Sequence, residues 1–275
     1  MTSLFATPRF PAMAALAIPV LAGAAWMAAA GAPQAYWLTN LAALVPALVW
    51  IALGQAPAGP TGRRVLAGAF VALMLLPLAT GPYLPSVTQD AVARWIPLGP
   101  LTLHAGMIAV PPLAVLAARE GKLAAPILFA AIVAALFQPD AATGFALTFA
   151  AVGLHHAGQD WRVGLVAIAG FAASLLMAVS GELPPTQFVE RVLVEAARTE
   201  IAAAAALALA LLGCFLLIAL ALPRPREERL ALAGALFGFA IMALMSTYPS
   251  VLIGYGASPI LGFGIALGLN RTRPA

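Results

Sequence analysis

The sequence predicts an all-α, polytopic integral membrane protein in a single helical domain spanning residues 1–275, and three observations predict it. Apolar residues fill 63% of the positions and charged residues 9%, whereas soluble domains carry about 25% charged residues. Apolar runs of about 15 to 22 residues recur along the chain, the length a helix needs to cross the hydrocarbon core. Basic residues, finally, gather in alternate connecting segments.

Ten apolar runs can be placed, at about 12–30, 36–54, 65–80, 101–118, 123–137, 143–157, 163–180, 200–222, 230–247 and 251–269. Pro19, Pro46, Pro77 and the pair Pro111-Pro112 fall inside runs, so those helices are expected to be kinked or locally unwound. The first run follows a basic residue and small side chains, so it also has the composition of a secretory signal peptide. Its length favours a retained first helix.

Orientation follows from charge. With the N-terminus in the cytoplasm, the inner segments hold Arg9, Arg63, Arg64, Arg119, Lys122, Arg162, Arg224, Arg226, Arg229, Arg271 and Arg273. The outer segments hold only Arg94, Arg191 and Arg198, which is 3 basic residues against 11. Both termini are then cytoplasmic, and Tyr36, Tyr83, Tyr248 and Tyr255 lie at or near the outer interface. In such a chain the pI of about 9.8 reports topology and contact with anionic headgroups rather than nucleic-acid binding. Cys214 is the single cysteine, so the chain forms no internal disulfide.

Two outer segments are long. The first is Gly81 to Pro100, "GPYLPSVTQDAVARWIPLGP". The second, Gly181 to Thr199, carries Glu182, Glu190 and Glu195. Within it Phe188, Val189, Val192, Leu193 and Ala196 share a helical face while Glu190, Arg191, Glu195 and Arg198 lie elsewhere, which predicts an amphipathic helix along the interface. No internal repeat is apparent.

Several side chains stand out against this background. In "QPDAATG" (138–144), Pro139 ends one helix and Asp140 can cap the next, yet a carboxylate near membrane depth is costly and is often functional. Arg94 and Trp95 can anchor the chain at the interface, or hold a pyrophosphate and the face of a lipid or sugar. His104 reads as a hydrogen-bonded interfacial residue. His155-His156 has no Cys or carboxylate at a ligand spacing, so no metal site is expected from protein ligands alone.

Taken in order, the outer and interfacial segments resemble the SEDS family (shape, elongation, division and sporulation) of FtsW-, RodA- and SpoVE-like proteins. "RWIPLGPLTL" (94–103) is similar to that family's Arg-Trp-Ile-x-Leu-Gly-Pro segment, and "QPDAATG" to its Gln-Pro-Asp turn. Trp161-Arg162 falls where a Trp-Arg pair follows the sixth span. "TQFVERVLVE" (186–195) resembles a Thr-Asp-Phe segment with an acidic motif after it, and "YPSVLIGYGAS" (248–258) resembles the Pro-x-x-x-Ser-Tyr-Gly-Gly-Ser stretch. Asn270-Arg271 ends the chain in similar style. The match covers about residues 90 to 273; residues 1–80 match in topology alone.

The resemblance implies a multi-pass protein of the bacterial cytoplasmic membrane that serves peptidoglycan synthesis in cell division or cell shape. Its implied partners are membrane lipid, lipid II (the undecaprenyl-pyrophosphate-linked disaccharide peptide) and a class B penicillin-binding protein. As a glycosyltransferase it would join an acceptor sugar hydroxyl to the anomeric carbon of lipid II, a carboxylate serving as general base. Arginine or a divalent cation would offset the charge on the leaving pyrophosphate. Asp140 and Glu195 are then the candidate catalytic residues, Glu190 being a second carboxylate near the motif. Arg94, Trp95, Gln138, Gln187 and Tyr255 are the candidate substrate-binding residues.

Departures from the pattern imply a shortened, divergent member. The family's catalytic aspartate position is Gln187, and an amide accepts no proton near neutral pH. The glycine-rich loop that precedes that segment is absent. Where the family has Gln-Pro-Ser-Glu and a lysine, this chain has His104-Ala105-Gly106-Met107 and Val110. The last motif reads Gly-Tyr-Gly-Ala-Ser-Pro. Alternatives in other classes are a non-catalytic scaffold or regulator of the penicillin-binding protein, and a transporter of lipid or small solutes through proline-broken helices.

Overall fold

Proline sets the starts of the helices more often than it breaks them, because a first-turn residue needs no N–H donor. In a computed structural model, which describes residues 9–88, 90–99 and 101–270, Pro11 opens α1 (Phe10–Ala29) and Pro60 opens α3 (Pro60–Leu75). Pro77 begins a separate short helix, α4 (Pro77–Thr80), so the third run is broken after Leu76. Pro19 in α1, Pro46 in α2 (Gln34–Leu53) and Pro111-Pro112 in α5 (Ala105–Ala118) lie within continuous helices, so of the kinking or local unwinding expected there the unwinding does not occur. In α5 every residue from Ala105 to Ala117 is buried, and packing on all sides holds the helix through its two missing donors.

The remaining helices are α6 (Ala124–Leu136), α7 (Ala141–Gly158), α8 (Trp161–Ser180), α9 (Val192–Thr199), α10 (Ile201–Leu216), α11 (Arg226–Met245) and α12 (Ala257–Gly268). A π-helical turn, Leu217–Ala221, extends α10. The ten apolar runs thus correspond to ten helical segments. Among the described residues six are long and apolar enough to cross a membrane, Ala105–Ala118, Gly121–Leu136 and Ala257–Gly268 are shorter apolar helices, and α7 falls in neither group.

Small residues bring the central helices together. In the α7–α11 pair a Cβ on Gly153 would sit 2.1 Å from the Leu230 carbonyl, and one on Gly234 would sit 2.1 Å from that of Phe149. Only glycine permits backbones this close, and dispersion between them replaces the hydrophobic drive that lipid does not supply. The core runs from Leu16 and Val20 through Leu113 and Leu116 to Phe239 and Phe263.

Two departures from the sequence reading concern the outer segments. The stretch 84–104 is two β-hairpins, β1 (Leu84–Pro85) with β2 (Ala91–Val92) and β3 (Trp95–Leu98) with β4 (Leu101–His104). The fourth membrane helix therefore begins at Ala105, four residues later than expected, with its first turn closed by the His104 side chain. The amphipathic helix also starts late. Phe188 and Arg191 take left-handed backbone angles (φ 64° and 53°), so only Val192–Thr199 is helical, burying Val192 and Ala196.

Side-chain bonds separate the two ends of the bundle. At one end Arg63 and Arg64 bind Glu120 (2.8 and 2.7 Å), and Arg119 binds Glu228 (2.8 Å) and the Leu269 carbonyl (2.6 Å). Burial works against the Glu120 charge, but the bonds from Arg64 and Arg63 outweigh it and hold the carboxyl below its usual range. That contribution to stability is present above the ordinary glutamate range and is lost as pH falls through the lowered value. Arg271 and Arg273 of the basic set lie outside the described residues.

At the other end, buried Asn40 of α2 clamps the turn ahead of α12. Its Nδ2 donates to the Gly254 carbonyl (2.8 Å) and its Oδ1 accepts from the Gly256 N–H (2.9 Å). Replacing Asn40 with Ala leaves both backbone groups unpaired, at an expected cost of about 1–2 kcal/mol in thermal unfolding in detergent. An unchanged midpoint would show that the turn holds itself.

Candidate functional site

Four separated stretches meet at the end that carries the hairpins, and Arg94 is what they meet around. It is 1% exposed. Nε donates to the Gln138 carbonyl (3.4 Å), and Nη2 donates to the carbonyls of Pro139 and Gly181 and to the Tyr248 hydroxyl (3.4 Å). The guanidinium also lies 4.9 Å from the centre of the Tyr248 ring. Gly181 has to be glycine, because a Cβ there would collide with the Pro139 carbonyl.

Asp140 supplies the countercharge. Its Oδ1 is 4.0 Å from Arg94 Nε, and Oδ2 is 3.5 Å from His104 Nε2. Oδ1 also accepts the Thr143 N–H (3.2 Å) and Oδ2 the Thr143 hydroxyl, so Asp140 caps α7 as its place after Pro139 suggests. The carboxylate is fully buried and lies below the hairpin rather than in open space. Gln138 is likewise buried at 1% exposure, and its Nε2 has no hydrogen-bond partner among the described residues.

Above this cluster lies a cavity of about 230 Å³. Trp95, Thr102 and His104 line it from β3 and β4, Thr186 and Glu190 from the segment ahead of α9, and Ser250, Tyr255 and Ser258 from the approach to α12. Trp95 and His104 are cross-strand partners, with rings edge to face at 5.5 Å. Tyr255 stacks on Tyr36 of α2 at 4.0 Å, which fixes one aromatic wall. His104 Nδ1 accepts the Met107 N–H (3.3 Å), and Nε2 lies 3.5 Å from Asp140 Oδ2 with no hydrogen-bond partner among the described residues.

The candidates from the sequence separate accordingly. Trp95 and Tyr255 face the cavity; Asp140, Arg94 and Gln138 form the packed layer beneath it and are not among its lining residues. Gln187 is exposed in the turn that carries Thr186 and Val189 to the cavity, and does not line it. The two carboxylates of this stretch differ in the same way. Glu195 accepts the Phe188 N–H (3.2 Å) and stabilises the turn from outside the cavity, while Glu190 lines it. Burial pushes the Glu190 carboxyl up to about 7, against the lowering effect of N–H bonds from Thr186 and from its own backbone.

His104 and Ser258 are the residues that sequence reasoning undervalued. The Ser258 hydroxyl accepts the His104 N–H (2.7 Å) across 154 positions, a contact with no local signal. For His104, its place in the "LGPLTLHAGM" segment was the available clue.

No protein-family model matches the sequence, and no curated protein matches it. The structure is similar to the crystal structure of the rod shape determining protein RodA of Thermus thermophilus, at 20% identity over 92% of each chain and a TM-score of 0.61. An aspartate-to-alanine mutant of that RodA gives a TM-score of 0.63 at 21% identity, over 92% of this chain and 93% of that one. A chain from a peptidoglycan synthase complex, described for its coordination of polymerization and crosslinking, gives 0.59 at 19% identity over 92% and 94%. These similarities show that the chain has the RodA-type fold, that of an all-α, polytopic membrane protein.

Proposed function

We propose that this chain serves peptidoglycan synthesis as a SEDS-type protein of the bacterial cytoplasmic membrane, binding lipid II in the cavity between the β3–β4 hairpin and the approach to α12. One observation carries the reading. The stretches 94–103, 186–190 and 248–258, picked out separately by resemblance, line the same cavity although up to 150 residues and more separate them in sequence. The concentration of basic residues at the opposite end supports an outer-face position for the cavity. Aromatic walls at Trp95 and Tyr255, with polar groups between them, suit a sugar, which presents apolar faces and hydroxyl edges.

The charge balance bears on catalysis. Among the described residues no lysine or arginine lines the cavity, and there is no cluster of three His, Cys, Asp or Glu side chains able to hold a metal. A divalent cation that neutralises the pyrophosphate would therefore enter with the substrate. The implied partner is a class B penicillin-binding protein, in keeping with the synthase complex whose chain this fold matches. The scaffold reading draws on one feature, the amide at position 187.

Purified protein, alone and with a class B partner, should bind lipid II, and Trp95→Ala or Tyr255→Ala should weaken binding about tenfold through loss of an aromatic wall. Glycan strands formed from lipid II and a divalent cation would establish the transferase. Binding that is absent, or unchanged in both variants, would remove the cavity from consideration.

A further inference from the structure

We infer that Glu190 is the proton acceptor of this cavity, the carboxylate that takes up the hydroxyl proton of an incoming sugar. The inference rests on the proposed reading of the cavity as a lipid-linked-sugar site.

Geometry singles out this side chain. Glu190 is the only carboxylate among the lining residues. Its Oε2 accepts the Thr186 N–H at 2.6 Å, and its own backbone N–H also acts on the carboxyl, so the side chain is oriented within the turn while facing the cavity. The backbone that carries it is held on both sides. Its N–H donates to the Thr186 carbonyl (3.2 Å), it pairs with Pro249 in an isolated bridge, and the neighbouring Val189 carbonyl accepts the Ser250 N–H (2.8 Å). The carboxyl is thus oriented by the protein at the wall of the cavity, an arrangement that suits a base.

The other groups facing the cavity are occupied or ill suited. His104 uses Nδ1 on Met107, and its Nε2, 3.5 Å from Asp140 Oδ2, is buried with no hydrogen-bond partner among the described residues. Tyr255 is stacked on Tyr36. Among the described residues no basic side chain lines the cavity, and Arg191, next in the chain, acts on Glu182, whose carboxyl is held low chiefly by the Ser246 hydroxyl. With little positive charge near it, half-buried Glu190 keeps a proton up to about pH 7, the range in which a general base works best. Gln187, three positions earlier, holds the place of the family's carboxylate by resemblance; the turn at 187–189 brings a different carboxylate to the cavity.

In the transfer step a hydroxyl oxygen of the acceptor sugar forms a bond to the anomeric carbon of the lipid-pyrophosphate-linked donor. The bond from that carbon to the pyrophosphate oxygen breaks, and its electron pair leaves with the pyrophosphate. The hydroxyl proton passes to Glu190, and the acid so formed releases it to water.

The test compares the natural chain with Glu190→Gln and Glu190→Asp, each with the class B partner, lipid II and a divalent cation. Lipid II binding, glycan-strand formation and thermal unfolding are measured from pH 5.5 to 8.5. Glu190→Gln should bind lipid II within about twofold of the parent and unfold no earlier, yet form strands about 100-fold more slowly or worse. The parent rate should rise with pH through about 7, because only the ionised carboxylate accepts a proton, and that rise should vanish in Glu190→Gln. Glu190→Asp should recover part of the rate. Strand formation by Glu190→Gln at the parental rate and pH profile overturns the inference and leaves the binding site standing. A parent that binds lipid II but never forms strands also overturns it, and supports the scaffold. A parent that does not bind lipid II removes both.

Discussion

Asp140→Ala is expected to destabilise the folded bundle by about 3–5 kcal/mol, the range for removing one partner of a buried charge pair. The carboxylate is fully buried and Arg94 is 1% exposed. Without Asp140 the guanidinium keeps its carbonyl acceptors at Gln138, Pro139 and Gly181, but it has no countercharge. The same substitution removes the α7 cap, since both Thr143 bonds end on this carboxylate. Asp140→Asn retains a cap acceptor and loses only the charge, so its cost should be smaller. Thermal or denaturant unfolding in detergent checks both. If Asp140→Ala unfolds with the parent, the ion pair is not what joins these segments. A consequence for enzymology follows: loss of activity in an Asp140 variant reports stability first, which is why Glu190 is the more informative site.

Glu228→Ala should cost a similar 3–5 kcal/mol at the opposite end. Glu228 is 1% exposed in the first turn of α11 and accepts Arg119 Nη2 at 2.8 Å, with Arg224 Nη1 at 4.0 Å. Arg119 also donates to the Leu269 carbonyl, and Arg224 to the carbonyls of Ala266 and Leu267. One carboxylate therefore helps to join the ends of α5, α11 and α12 and the segment after α10. Its removal leaves Arg119, whose side chain is 4% exposed, charged and uncompensated. The double variant Arg119→Met, Glu228→Leu should recover part of the loss, because it removes the Arg119 and Glu228 charges together while Arg224 keeps its carbonyl acceptors at Ala266 and Leu267. If the double variant is no better than the single, packing rather than charge sets the cost. These effects dwarf that expected at Asn40, where two neutral hydrogen bonds are at stake.

The fold was legible where one physical rule acts alone. Ten apolar runs became ten helical segments, since a chain in lipid must satisfy its backbone within each segment. The hairpins were not legible. In 84–104, pairs such as Trp95 with His104 form a ladder whose strands are too short to show an alternating pattern. The boundary error at Ala105 has the same source, since apolar "LTL" reads as helix or strand alike.

The site divided along a similar line. Composition, hydropathy and the placement of arginine determined by themselves that this is a polytopic membrane protein, and the motifs marked 94–103, 138–144, 186–195 and 248–258 as worth attention. Only the tertiary structure decided which side chains of those stretches face open space. It placed Arg94, Asp140 and Gln138 in the packing, Glu195 on a turn, and Trp95, Tyr255 and Glu190 in the cavity. The physical reason is that residue type records what a group can do, whereas burial and partners record what it is left free to do. A carboxylate enclosed by Arg94, His104 and Thr143 is bound to structure, and one that lines a cavity is open to chemistry.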